Sequence, residues 1–252
     1  MIRLAQYHRP WSVPWRPVFV ASDGDEAEAA VARSLRVSSP SMVDEIVTAS
    51  LRLVRSRDLA LWEHQRNVSE YAAILAEELG WAPEMVAEVW AAGAVHDLGK
   101  LALPHHILAK PGPLTVAEFA QVREHPAVGC RLLTAVGAPA TLVIMVRDHH
   151  ERWDGTGYAF GQAGAAISPG GRVLAVADTL DAMLQDRPYA AGRPFAAAVT
   201  EIERCAGQQF DPVVVAALSR VVALHGSIYF RAEMRILPLA RGYIRGTPPR
   251  VE

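Results

Sequence analysis

From Met42 to about Leu218 apolar residues recur at intervals of three and four, the spacing that lines one face of an α-helix, so the chain reads as mainly α. Leu61, His64, Val68, Tyr71 and Leu75 form one such stripe, and it places His64 in a buried seam. A second helix opens at Pro83, a favoured first-turn residue, and runs through Val86, Val89 and Gly93 to His96. Prolines at 104, 111 and 113 interrupt the stretch Leu101–Pro113, a loop that holds His105 and His106 in solvent, and Leu114-Thr115 leads into a helix near Glu118. His125 precedes Pro126 and is expected at a helix junction, with Pro126 opening a helix that carries Val128, Leu132, Leu133 and Val136. Thr141–Arg147 is an apolar helix ending in Asp148-His149-His150-Glu151. Val173–Met183 is another, with Asp178 and Asp181 on one face.

The two ends have a different texture. Pro10, Pro14 and Pro17 interleaved with Trp11 and Trp15 read as an extended arm, followed by a short strand at Val18-Phe19-Val20 and a helix from Asp23 to Leu35. Ser38-Ser39-Pro40 breaks the pattern, so the expected organisation is an arm over 1–40, a main domain over 41–220 and a cap over 221–252. In the cap, Ile228, Phe230, Ala232, Met234 and Ile236 alternate with Tyr229, Arg231, Glu233 and Arg235, the period of a half-buried strand. That strand is expected to pair with Val18–Val20 or with Tyr243–Arg245. The expected fold is therefore a helical bundle with a small appendage of short β-strands.

Composition narrows the function. A chain of 252 residues with 51% hydrophobic and 21% charged residues is an ordinary soluble globular protein. Its net charge of −2 provides no electrostatic footprint for duplex nucleic acid, although a local basic pocket for a small anion remains open. Cys130 and Cys205 lack C-x-x-C spacing, which argues against a disulfide framework or a thiolate zinc site and fits a reducing cytoplasm. The N-terminus has no signal-peptide pattern, and no apolar run approaches the roughly 18 residues of a membrane span.

The candidate chemistry centres on His96-Asp97-Leu98-Gly99-Lys100. Imidazole and carboxylate side by side, with a glycine to turn the backbone and a lysine behind, suit a metal site that handles phosphate, and the donor types favour zinc, iron or manganese over calcium. His64, His125, His149-His150 and Asp178 each fall on an apolar helix face or at a helix end, so one site would account for five of the nine histidines. Adjacent helical histidines diverge by about 100°, so His149 and His150 point to two ions, or to one ion and the substrate. Asp178 and Asp181 are costly to bury on an apolar helix unless paired or metal-bound. Gly155 and Gly157, around Thr156 and beside Tyr158, make a tight turn that can bring backbone close to a ligand.

These motifs resemble those of the HD-GYP domain, a bacterial branch of the HD phosphohydrolase superfamily whose members hydrolyse cyclic di-GMP. The resemblance runs from about Ser41 to Leu218. It rests on His96-Asp97-Leu98-Gly99-Lys100, Ile107-Leu108-Ala109-Lys110-Pro111-Gly112 with Leu114-Thr115 and Glu118, and His125-Pro126 with Gly129. It continues through His149–Tyr158, Ala177-Asp178, Asp181-Ala182-Met183, Asp186-Arg187-Pro188-Tyr189, and Gly207 with Phe210-Asp211-Pro212. It implies an HD-domain helical bundle with His64, His96, Asp97, His125, His149, His150 and Asp178 as ligands of two divalent metals, iron or manganese, Asp97 bridging them. Asp97 and Lys100 then carry catalysis, and Lys100, Arg187, Tyr158, Gly155 and Gly157 form the substrate side. In that reading two metals acidify a bridging water to hydroxide, which attacks phosphorus in line while the ions and Lys100 stabilise the growing charge.

Three positions depart from the family pattern. The GYP tripeptide is Gly157-Tyr158-Ala159, without the stiffening proline; Ala190 stands where many relatives carry a basic residue; and Ala60 stands where relatives with a third metal carry glutamate. The last argues for two ions. The first two keep two alternatives open, an HD phosphohydrolase acting on another nucleotide, and a catalytically weak scaffold that docks a partner such as a diguanylate cyclase through the Trp153–Ala159 turn.

Overall fold

The computed structural model describes residues 42–185 and 192–226. The expected arm, the strands at 18–20, 228–236 and 243–245, and the helix at 23–35 lie outside the described residues, as do Arg187 and Ala190. Ten helices follow in order among the described residues. They are α1 Met42–Arg57, α2 Leu59–Glu78, α3 Pro83–Val95, α4 His105–Leu108, α5 Val116–Val122, α6 His125–Ala135, α7 Ala140–Asp148, α8 Pro169–Leu184, α9 Phe195–Arg204 and α10 Pro212–His225. The domain boundary expected at 220 falls inside α10. An isolated bridge between Ala206 and Phe210 is the only β-pairing among the described residues.

Helix starts follow from local chemistry. Asp58 caps α2 by accepting from Leu61 N at 2.9 Å, Thr115 and Glu118 close a reciprocal capping box on α5, Ser168 caps α8 ahead of Pro169, and Asp211 caps α10 ahead of Pro212. The loop expected over Leu101–Pro113 contains the single-turn α4, whose first two residues, His105 and His106, are exposed as expected.

The centre of the bundle is α3. From Val86 to Val95 every residue but Glu88 is buried, and an apolar helix without a polar face can only sit among other helices. It packs on α2, α1, α7 and α8. The α2–α3 crossing is close because Gly93 faces Ser69, where a Cβ would lie 2.7 Å from the Ser69 Cα. Along α2, Val68, Tyr71 and Leu75 are buried with His64, while Leu61 is half-buried. Each fully buried Val or Leu contributes about 1.5–3 kcal/mol relative to exposure, so this apolar frame is strong enough to hold polar groups in its interior.

Candidate metal centre

Five helices deliver the seven candidate ligands. His64 projects from the second turn of α2, His96 caps the C-terminus of α3 with Asp97 next to it, His125 begins α6, His149 caps the C-terminus of α7 with His150 following, and Asp178 lies on α8. All seven converge. Asp97, His125, His149 and His150 form one group and His64, His96 and Asp178 another, with ligand atoms inside each group within 4.8 Å of one another.

Hydrogen bonds settle which nitrogen of each ring can bind. Nδ1 of His96 lies 2.8 Å from Gly93 O, Nδ1 of His125 2.7 Å from Val122 O, and Nδ1 of His149 2.7 Å from Val146 O. A carbonyl only accepts, so each Nδ1 carries a proton and each Nε2 keeps its lone pair. These carbonyls belong to the last turns of α3, α5 and α7, which have no acceptor role left inside their helices. Nδ1 of His64 donates instead to Asp181 Oδ2, at 2.7 Å.

The lone pairs meet in a way that calls for cations. His125 Nε2 lies 3.2 Å from His149 Nε2 and 3.0 Å from Asp97 Oδ1, three electron-rich atoms with no proton among them when both rings are neutral. His96 Nε2 and Asp97 Oδ1 are buried without any hydrogen-bond partner. Buried atoms of this kind cost free energy unless satisfied, and a divalent ion satisfies several at once. Asp97 stands between the groups: Oδ1 faces His125 and His149 (3.0 and 3.9 Å), while Oδ2 faces His96 and His64 (3.4 and 3.6 Å) and accepts from Lys100 Nζ.

Electrostatics agree with ligand duty. Burial pushes His125 down, His149 well down and His150 down to about 3, so all three imidazoles stay neutral and able to coordinate. Burial alone would raise Asp97 and Asp178, but Lys100 and the imidazoles around Asp97, and the hydrogen bond from His64 to Asp178, outweigh it and keep both ionised. Burial also disfavours a charged His64, yet hydrogen bonds to Asp178 and Asp181 raise it to about 10 in the metal-free protein. A metal ion at His64 Nε2 would replace that proton.

The surroundings of several of these residues add contacts that the sequence did not show. α7 ends at Asp148, and the rings of His149 and His150 that follow it lie 4.1 Å apart, both in the group of Asp97. Gly99 does not turn the chain through a left-handed backbone: a Cβ there would overlap His125 O and lie 2.7 Å from Gly129 N, so glycine lets the Leu98–Ala102 turn touch α6. Gly157 lies against the Glu151 backbone in the same way, whereas Gly155 does adopt a φ of 76°. Tyr158 stacks on His150 at 4.7 Å and 29°, with the Arg123 guanidinium 4.9 Å from its ring, so its ring backs a candidate ligand.

Four acceptors escaped the sequence reading. Buried Asp148 pairs with Arg147 and accepts from Ser168 N at 2.8 Å, tying the end of α7 to the start of α8. Glu151 accepts from Phe160 N at 2.7 Å and Gln162 N at 3.1 Å, which braces the turn that lacks the family proline. Trp153 N and Asp154 N donate to Gln209 O and Gln208 O, fixing the same turn to the segment between α9 and α10. The signal for the two acids was present in the flanks of His149-His150, but acidic residues there read equally well as ligands.

A family model described as HD domain matches residues 49–214. The chain is 35% identical over 189 residues to the cyclic di-GMP phosphodiesterase of Thermotoga maritima, covering 74% of this chain and 51% of that protein. It is 40% identical over 194 residues to the cyclic di-GMP phosphodiesterase PA4108 of Pseudomonas aeruginosa, covering 73% and 47%. The chain thus spans about half the length of these curated relatives. In fold it resembles a cyclic GMP-AMP specific phosphodiesterase of V. cholerae, with a TM-score of 0.56 at 13% identity over 82% of this chain and 53% of that one. With that match running through the motifs from His96 to Pro212, the chain belongs to the HD domain family, in its HD-GYP branch.

Proposed function

We propose that this chain is a two-metal phosphodiesterase that opens the phosphodiester bonds of cyclic di-GMP. The observation that carries the proposal is Asp97, which turns one carboxylate oxygen toward each of two sets of imidazole nitrogens. His125, His149 and His150 would hold one ion, His64, His96 and Asp178 the other, and Asp97 would bridge them. Iron or manganese suits this mixture of nitrogen and oxygen donors. Bound there, such ions supply Lewis acidity toward a phosphodiester and acidify water at neutral pH. Lys100, only part-buried and anchored on Asp97 Oδ2, keeps a cation at the rim of the centre, where a phosphate oxygen would gain a charge-assisted hydrogen bond. The relatives from Thermotoga maritima and Pseudomonas aeruginosa are named cyclic di-GMP phosphodiesterases, and that supports the substrate.

Purified chain loaded with Mn²⁺ or Fe²⁺ under anaerobic conditions should convert cyclic di-GMP to linear products, resolved by chromatography. Cyclic GMP-AMP and linear dinucleotides run in parallel test the alternative of another nucleotide. Turnover of one of these with cyclic di-GMP left intact would reject the substrate, and no turnover with both ions bound would favour a scaffold.

A further inference from the structure

His96, His125 and His149 sit at helix junctions, where a neighbouring carbonyl at the end of a helix is free to orient the ring. His64 is different. It lies inside α2, where the carbonyl three residues back is already engaged in the helix, so its Nδ1 needs an acceptor from another element. Asp181, 117 residues away on α8 and 1% exposed, is that acceptor. Its other oxygen accepts from Asn67 Nδ2 at 2.9 Å, and Gln185 Nε2 also donates to Oδ2. Asn67 stands one turn after His64 and Gln185 directly follows the end of α8, so α2 and the C-cap of α8 each supply a donor to the carboxylate. The carboxylate accepts from three side chains and directs His64 Nε2 to 3.1 Å from Asp178 Oδ1.

We infer that Asp181 is a positioning residue for His64, and that with Asn67 it sets the metal affinity of the His64/His96/Asp178 half of the centre without touching the other half. The inference deepens the two-metal reading and rests on it. A carboxylate acceptor makes the imidazole more basic than a carbonyl does, and losing such an outer partner typically weakens metal binding roughly 10–100-fold. The other half has no counterpart of this clasp among the described residues, since His125 and His149 are oriented by backbone.

The test is Mn²⁺ titration of metal-stripped full chain, by calorimetry and elemental analysis, for wild type, Asp181→Asn, Asp181→Leu, Asn67→Ala and His64→Ala. In Asp181→Leu one ion should keep its wild-type affinity and the other should weaken roughly 10–100-fold, the pattern of His64→Ala. Asp181→Asn is isosteric and keeps an acceptor, so it should fold even where leucine does not; it and Asn67→Ala should weaken the same ion by less. Two ions with wild-type affinities in Asp181→Asn and Asp181→Leu would overturn the inference, as would equal weakening of both ions. If wild type itself takes one ion, the two-metal reading fails, and the inference then stands if that ion weakens in both His64→Ala and Asp181→Leu and is overturned if it keeps its affinity in Asp181→Leu.

Discussion

Asp97 concentrates two demands in one side chain, since it must face imidazoles on both sides while Lys100 holds Oδ2. An amide lacks the charge that keeps two cations close. Asp97→Asn should therefore weaken metal binding by more than the roughly 100-fold lost with an outer partner, and should abolish hydrolysis with it; elemental analysis and product chromatography on the same sample check both. A variant that kept two ions and near-normal turnover would remove Asp97 as the bridge. Gly99 is constrained by space, not charge. Gly99→Ala drives a methyl into His125 O, so urea unfolding should show a loss of about 1–3 kcal/mol or more, and metal bound through His125 should weaken as the Leu98–Ala102 turn moves off α6. Unchanged stability would mean that the contact relaxes at no cost.

Among the elements, α5 offers a pH test away from the centre. Glu118 accepts from Lys110 Nζ and reaches back to Thr115 N, and these contacts lower its carboxyl from 4.5 to about 2. A folded-state value below the unfolded one means that the interaction stabilises fully above the unfolded value and is lost as pH falls toward the folded one. The difference in urea midpoint between wild type and Glu118→Gln should therefore be constant from pH 7 to 5 and shrink below about 4.5; a difference independent of pH would assign it to helix propensity. Asp148 works between elements. Removing it in Asp148→Ala leaves Ser168 N and Arg147 without their acceptor, which should cost about 1–3 kcal/mol in thermal or urea unfolding. The α7–α8 junction it ties carries His149 on one side and Asp178 on the other.

At the scale of the molecule, seven candidate ligands drawn from five helices would couple metal binding to folding, because the unfolded chain does not assemble the site. Free metal at 100 times its dissociation constant should raise stability by about 2.7 kcal/mol per ion, and chelation should lower the melting temperature accordingly. A melting temperature indifferent to metal would exclude binding at these residues. No described helix is long and apolar enough to cross a membrane. The surface turn 153–160 is braced from three sides, by Glu151, by Gln208 and Gln209, and by Arg172 near the Trp153 ring. A rigid turn of this kind keeps its shape without the proline at position 159.

The sequence alone determined the helical class, the helix starts at Pro83, Thr115 and Pro126, and the residue types that gather in one place, because capping and three-to-four periodicity are local properties of the chain; the helix expected from Val173 begins a turn earlier, at Pro169. The motif resemblance further singled out His64, an otherwise ordinary residue on an apolar stripe. Only the tertiary structure decided how these groups relate. Whether His149 and His150 serve one group or two depended on where α7 ends, the reason for Gly99 was a contact with a residue 26 positions later, and the partner that orients His64 came from α8 across the bundle. A ligand's type is written in its own side chain, whereas its direction is set by whatever packs beside it, and that neighbour is chosen by the fold.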